Sequence, residues 1–82
     1  MTDLFQQLKN TKNANKHLAI VEAFVDNDVL FKEIGELVYE VITPRDEKIF
    51  VFFKTYVVQI RKGNKLTTFK PTWQDFLSMI RN

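Results

Sequence analysis

The sequence contains no cysteine, so neither a disulfide nor a thiolate-bound metal can reinforce its fold. It has only two glycines, too few for the glycine-rich phosphate loops of the familiar nucleotide-binding motifs. One histidine, His17, and one serine, Ser78, leave little material for a nucleophilic triad or a His/Cys metal cluster. These shortages predict a protein that is not an enzyme, with no catalytic residues, no metal site and no cofactor.

Long apolar runs are also missing. No stretch approaches the ~20 residues that a membrane-spanning helix needs, because charged residues interrupt each one. The first residues lack the basic and apolar segments of a secretory signal peptide. Together with the absence of cysteine, which suits a reducing compartment, this predicts a cytoplasmic protein with no membrane partner. A chain of 82 residues is expected to form one small domain, 1–82.

Aromatic residues are abundant, with eight Phe, two Tyr and one Trp. Each of these side chains buries a large area, which suits a small core that has no covalent reinforcement. We therefore expect most of them to lie inside the domain.

The segment Lys48–Lys70 predicts two paired strands. Lys48–Lys62 is rich in Val, Ile and Phe, which favours a strand even though its apolar residues also match a helical spacing. Gly63-Asn64 is typical of a tight hairpin turn, and Lys65–Lys70 supplies the second strand. Because fifteen residues are long for one strand, we expect a bend near Lys54-Thr55.

Residues 29–42 allow two interpretations. Their apolar residues recur at helical spacing, but a glycine interrupts the pattern and the last residues are strand formers. We interpret Val29–Glu33 as a strand, Ile34-Gly35 as a turn and Glu36–Ile42 as a second strand, with a helix as the alternative. Thr43–Glu47, which contains a proline, is expected to be a turn.

Helices are expected at both ends of the chain. Near the N-terminus, Thr2 is the candidate N-cap of a first helix, and a polar segment rich in Asn separates it from a second. The second helix is predicted to end at Asp26-Asn27-Asp28 and to carry an apolar stripe of Ala14, Leu18, Val21 and Val25. Near the C-terminus, Thr72 is a candidate N-cap and Asp75 completes a variant of the capping box.

The predicted fold class is therefore α+β, with an N-terminal helical segment, an antiparallel β-meander of four to five short strands and a short C-terminal helix. One sheet face should pack against the helices. The helix residues expected in this core are Leu4, Leu8, Leu18, Val21, Trp73, Phe76 and Ile80.

Two pairs of carboxylates could share a face, Glu22 with Asp26 on a helix and Glu36 with Glu40 on a strand. Neither pair belongs to a calcium loop with its bending glycine, so we interpret both as solvated surface acids.

The clearest functional signal is an uneven charge. Residues 1–42 have four lysines against seven acids, whereas residues 43–82 have eight Lys and Arg against three acids. Four of these cations surround the predicted hairpin turn, and they are the predicted partner-binding residues: Arg61, Lys62, Lys65 and Lys70. Cations at an exposed hairpin also serve solubility and edge protection, which is the alternative explanation.

We interpret the chain as a non-catalytic binding module, a small accessory or inhibitor protein that docks a protein partner of opposite charge. The alternative is a nucleic-acid-binding protein that uses the basic hairpin around Gly63-Asn64, with cations on phosphates and aromatic rings on bases. A homodimer is a further interpretation that the sequence leaves open.

Overall fold

Five antiparallel strands form a single sheet in chain order, with each strand hydrogen-bonded to the next. The computed structural model describes residues 3–81. The elements are α1 (Leu4–Lys9), α2 (Asn13–Asp26), β1 (Leu30–Gly35), β2 (Val38–Ile42), β3 (Lys48–Phe52), β4 (Val57–Lys62), β5 (Lys65–Phe69) and α3 (Trp73–Arg81). The predicted α+β class and the meander are confirmed. No helix within the described residues is long and apolar enough to cross a membrane.

The two faces of the sheet differ because side chains alternate along each strand. One face carries the buried residues Tyr39, Val41, Ile49, Val51 and Val58. These belong to the same apolar cluster as the buried residues of all three helices, so the helices cover this face. The other face lies on the far side of the sheet from this cluster.

The core is built mainly from aromatic rings. Phe24 of α2 is fully buried and packs against four other rings, those of Phe31, Tyr39, Phe53 and Trp73. Trp73 also stacks on Phe76 within α3, with ring centroids 5.3 Å apart. The expectation that the aromatic residues mostly form the core is confirmed for these rings.

The predicted hairpin at Gly63-Asn64 is present. Lys62 and Lys65 are register partners on either side of it. Gly63 has a φ of +61°, which a residue with a Cβ adopts at a cost. The Gly-Asn pair therefore encodes this turn locally.

The predicted single strand over 48–62 is wrong. Instead of bending, the chain reverses direction between Phe52 and Val57 and forms two paired strands, β3 and β4. The reversal is held by Phe53, whose N–H donates to the carbonyl of Leu37 at 2.8 Å. It also uses a left-handed backbone at Tyr56, with φ +59°. The Tyr56 side chain is held in turn by Lys16, whose Nζ donates to its hydroxyl at 3.1 Å.

The strand interpretation of residues 29–42 is confirmed, but the predicted turn at Ile34-Gly35 is wrong. The chain turns at Glu36-Leu37, with Leu37 at φ +57°. Gly35 ends β1 and marks a register shift in its pairing with β2. The later turn lets Leu37 bury its side chain, which outweighs the backbone cost of its left-handed conformation.

The predicted apolar stripe of α2 is also wrong. Leu18 and Val25 are 60% and 62% exposed, whereas Ile20 and Phe24 are fully buried. Both pairs have helical spacing, so periodicity did not distinguish them. The face of α2 that carries Phe24 packs against the sheet, because a phenyl ring among other rings buries more area than a leucine. Of the other residues predicted to lie in the core, Leu4, Leu8, Trp73 and Phe76 are buried, and Val21 and Ile80 are half-buried.

Helix termini follow capping chemistry. Thr2, the predicted N-cap of the first helix, lies outside the described residues, and Asp3 is the N-cap, its carboxylate accepting from the N–H of Phe5 at 3.0 Å. The predicted cap of α3 is confirmed, since the N–H of Asp75 donates to the Thr72 hydroxyl at 3.1 Å. Helix α2 ends at Asp26, with Asn27 as its C-cap, as predicted.

Candidate binding surface on the uncovered sheet face

The sheet face opposite the helices is the candidate binding surface, and we call it the open face. Strand alternation and register assign its members as three rows that cross the strands. The first row is Leu30, Ile42, Lys48, Arg61 and Leu66. The second row is Lys32, Glu40, Phe50, Gln59 and Thr68. The third row is Gly35, Val38, Phe52 and Val57, and Ile34 lies beside it at the register shift in β1.

Aliphatic side chains lie in water at the margins of the open face. Leu30 is 69% exposed, Leu66 57%, Ile42 49% and Ile34 47%. These account for four of the six large hydrophobic residues that stand out as exposed in the described chain. Single exposed leucines are ordinary, and the presence of several on one face makes this face the candidate site.

Two phenylalanines occupy the centre of the open face. Phe50 and Phe52 both project from β3, the central strand, and both are half-buried. Phe52 lies between Val38 and Val57 in register, which makes the third row apolar. The face therefore has an apolar centre with charges limited to the first two rows.

The charges on the open face are mostly positive. Lys32 and Glu40 are register partners, so their opposite charges face each other across β1 and β2. Lys48 and Arg61 are also register partners, so two like charges face each other across β3 and β4. Like charges in this position are destabilising. Glu40, Asp46 and Glu47 line the same cleft as this second pair, so both signs of charge meet at this end of the face.

The four predicted partner-binding cations do not form one cluster. Lys62 and Lys65 meet at the tip of the hairpin, where strand alternation puts them on the side opposite to the open face. Arg61 lies on the open face. Lys70 follows the far end of β5, about 16 Å from Lys65 at strand rise, and lines a shallow cleft with Lys9 and Tyr56. Their role in binding stays a prediction.

Sequence reasoning missed Lys48 and the exposed aliphatic residues of the open face. With 48–62 treated as one strand, Lys48 and Arg61 were at opposite ends of it. The reversal at 53–56 makes them neighbours. The alternation of Ile49 and Val51 with Phe50 and Phe52 was the available signal, because a strand with large apolar residues on both sides has two faces to bury.

His17 takes part in a polar contact between α2 and the sheet. Its Nδ1 lies 2.6 Å from the hydroxyl of Tyr39 and 3.2 Å from Oε2 of Glu33. Burial raises the pKa of Tyr39 from 10.0 to about 12, and the Glu33 carboxylate adds to this through its charge and as a hydrogen-bond acceptor. His17 and Glu33 are about half exposed, and we interpret the contact as a structural link at the protein surface.

Stability is expected to fall at high pH because of Tyr39. The pKa of Tyr39 is 10.0 in the unfolded chain and about 12 in the folded protein. At a pH between these two values, the unfolded chain loses the phenolic proton while the folded protein retains it. Unfolding is therefore favoured as pH rises, by roughly 2 kcal/mol between about pH 9 and about pH 11.5. Urea unfolding across this range checks it. The Tyr39→Phe variant should lose less stability over the same range, and an equal loss would contradict the assignment to Tyr39.

No group of three or more His, Cys, Asp or Glu that could hold a metal ion occurs among residues 3–81. The carboxylates of Glu36 and Glu40 are separated, since Glu36 lies in the β1–β2 turn, where it pairs with Lys54 at 3.2 Å, and Glu40 lies within β2.

Comparisons with protein-family models, with curated proteins and with solved structures give no match for this chain.

Proposed function

We propose that this chain is a non-catalytic binding module, a small accessory or inhibitor protein that docks a protein partner on its open face. The observation that carries the proposal is the exposure of Leu30, Ile34, Ile42 and Leu66 on one uncovered sheet face. Water contact with these side chains is unfavourable, and a partner that covers them gains roughly 25 cal/mol per Å² of apolar area.

The size of the open face fits the centre of a protein interface. Five strands spaced about 4.8 Å apart and about five residues long cover roughly 400 Å². Only part of this area is apolar, because charged and polar residues such as Lys32, Glu40 and Gln59 share the face. A standard interface buries about 800 Å² on each partner, so a partner would also contact the rim of the face. The rim offers cations to an acidic surface, including Arg61.

The experiment is affinity capture from the native source with tagged wild-type protein and three variants. Ile42→Glu and Leu66→Glu each place a carboxylate on the open face. Leu18→Glu is the matched control, because Leu18 is equally exposed but lies on α2, which covers the other face. We expect one protein species to be recovered with the wild type and the control, and to fall at least tenfold with both open-face variants.

Equal recovery with all variants would contradict the proposal, as would recovery of the free chain alone. Thermal unfolding of each variant shows whether a loss reflects misfolding. Light scattering at two concentrations tests whether the captured species is a second copy of this chain, which would give a homodimer through the open face.

Nucleic acid is the second candidate, and a specific arrangement favours it. Phe50 projects from the central strand two residues after Lys48 and diagonally across from Arg61 on β4, so a base stacked on its ring would lie beside cations that can contact phosphates. The hairpin adds Lys62 and Lys65 at its tip. Binding of this kind weakens steeply as salt rises. Titration with an eight-nucleotide oligothymidylate at low and moderate salt tests this candidate, and a flat signal at low salt would contradict it.

A further inference from the structure

The shallow cleft that Lys70 lines together with Lys9 and Tyr56 lies on the helix side of the sheet, and we call it the Tyr56 cleft. It has a volume of about 300 Å³. Its lining residues come from α1 and its cap, from the chain reversal at 53–56 and from residues 70–72, and none of them is a member of the open face. A ligand of this cleft would therefore not compete for the surface of the proposed function.

Three lysines gather around Tyr56. The Nζ of Lys9 lies 5.4 Å from the centroid of the Tyr56 ring, and the Nζ of Lys16 lies 5.6 Å from it. Lys16 also donates to the Tyr56 hydroxyl at 3.1 Å. Lys70 lines the same cleft. An aromatic ring attracts cations but does not neutralise their charge, so three positive charges remain concentrated here.

The acidic residues near the cleft do not balance these lysines. No ion pair of any of the three with an acid occurs among residues 3–81. One carboxylate lines the cleft, that of Asp3, and its Oδ1 already accepts from the N–H groups of Phe5 and Trp73. Asp75 of α3 is exposed and is not part of the lining. Three lysines against one carboxylate leave a formal charge of +2.

Three hydroxyl groups add hydrogen-bond donors to the lining. A hydroxyl can accept and donate at the same time. The Tyr56 hydroxyl accepts from Lys16, and the Thr72 hydroxyl accepts from the N–H of Asp75 at 3.1 Å, so each keeps a proton that it can donate. Thr55 supplies the third hydroxyl. An oxyanion is the kind of ligand that uses both the donors and the excess of positive charge.

We infer that the Tyr56 cleft binds a phosphate dianion, either inorganic phosphate or the phosphate group of a small monoester. A phosphate monoester carries a charge of about −1.5 to −2 at pH 7 and three acceptor oxygens, which matches the formal charge and the donors of the cleft. Lysine ammonium groups bind phosphate as point charges, so they need no planar ligand. A volume of about 300 Å³ is at the lower end for small-molecule sites, which favours a small ligand over a macromolecule.

The test is a titration of isotope-labelled protein at low ionic strength, followed by backbone amide NMR. The probe is phenyl phosphate, and its control is phenyl sulfate, which has a similar shape but one negative charge less. We expect saturable shifts at Lys9, Tyr56 and Lys70 with phenyl phosphate. One charge beside an ammonium group in water is worth about fivefold in affinity, so phenyl sulfate should bind weaker by about this factor or more.

Inorganic phosphate is the third probe, and it distinguishes the two sources of the dianion. Tighter binding of phenyl phosphate would assign the cleft to an ester whose organic part contacts the Pro71 side of the cleft. Binding of inorganic phosphate that is equal or tighter would assign it to the free ion. Both results support a phosphate site.

Two matched variants test the role of the lysines. Lys70→Gln should weaken binding of phenyl phosphate by about fivefold or more, and because Lys70 is exposed, the variant should fold. Lys62→Gln removes the same charge at the hairpin tip, at the other end of β5, and should change binding less than twofold.

The inference would be overturned by equal binding of phenyl phosphate and phenyl sulfate, by equal losses with the two variants, or by the absence of saturable shifts at low ionic strength. Tighter binding of an eight-nucleotide oligothymidylate at the same amides would also overturn it. Each phosphate of that probe carries a single charge, and the cleft would then belong to a nucleic-acid surface.

Discussion

Replacing Phe24 by alanine is expected to lower the free energy of unfolding by about 3–5 kcal/mol. The ring is fully buried, and it has four aromatic neighbours with centroids 5.0 to 6.0 Å away. Truncation removes the apolar burial of the ring and leaves a cavity that rigid neighbouring rings cannot fill. A domain of this size buries a modest share of its surface, so such a loss is a large part of its total stability.

Thermal and urea unfolding of the Phe24→Ala variant measure this loss, and the melting temperature should fall by at least about 12 °C. Leu18→Ala on the same helix is the control, because Leu18 is 60% exposed and should cost no more than about 0.5 kcal/mol. If Leu18→Ala were as destabilising as Phe24→Ala, the side of α2 that faces the sheet would be misassigned.

Much of the fold could be predicted, because in those segments the conformational preferences of the residues agree with the conformation that the folded chain adopts. The β-branched and aromatic composition of residues 48–62 favoured strands over a helix, and the strands are present. The Gly63-Asn64 turn and the Thr72 cap are encoded by the residues themselves, which need no distant contact to adopt these conformations.

The two turns that were misplaced lack such local chemistry. Leu37 and Tyr56 both adopt left-handed backbone, where a large side chain is unexpected. Both residues make contacts distant in sequence: the Leu37 carbonyl accepts from the N–H of Phe53, and the Tyr56 hydroxyl accepts from Lys16. Single-residue preferences carry no information about such contacts. For the same reason, the pairing of Lys48 with Arg61 and the open face itself could not be read from the hairpin alone.

Asp3 joins two helices that are far apart in the sequence. Its Oδ1 accepts from the N–H of Phe5 in the first turn of α1 at 3.0 Å. The same atom accepts from the N–H of Trp73, the first residue of α3, also at 3.0 Å. A negative charge at the positive ends of two helices is favourable for both. One carboxylate therefore caps α1 and fixes the start of the C-terminal helix.

The Asp3→Ala variant should consequently lose more stability than a variant that removes a single cap. Hydrogen bonds to a charged acceptor are worth about 1.5–3 kcal/mol each, and since the two share one oxygen, we expect a total loss of roughly 3 kcal/mol. Thr72→Ala removes one neutral cap from α3 and should cost about 1 kcal/mol. Asp3→Asn retains an oxygen acceptor and should lie between them. Urea unfolding ranks the three variants. A loss for Asp3→Ala no greater than that for Thr72→Ala would show that Asp3 stabilises one helix instead of two.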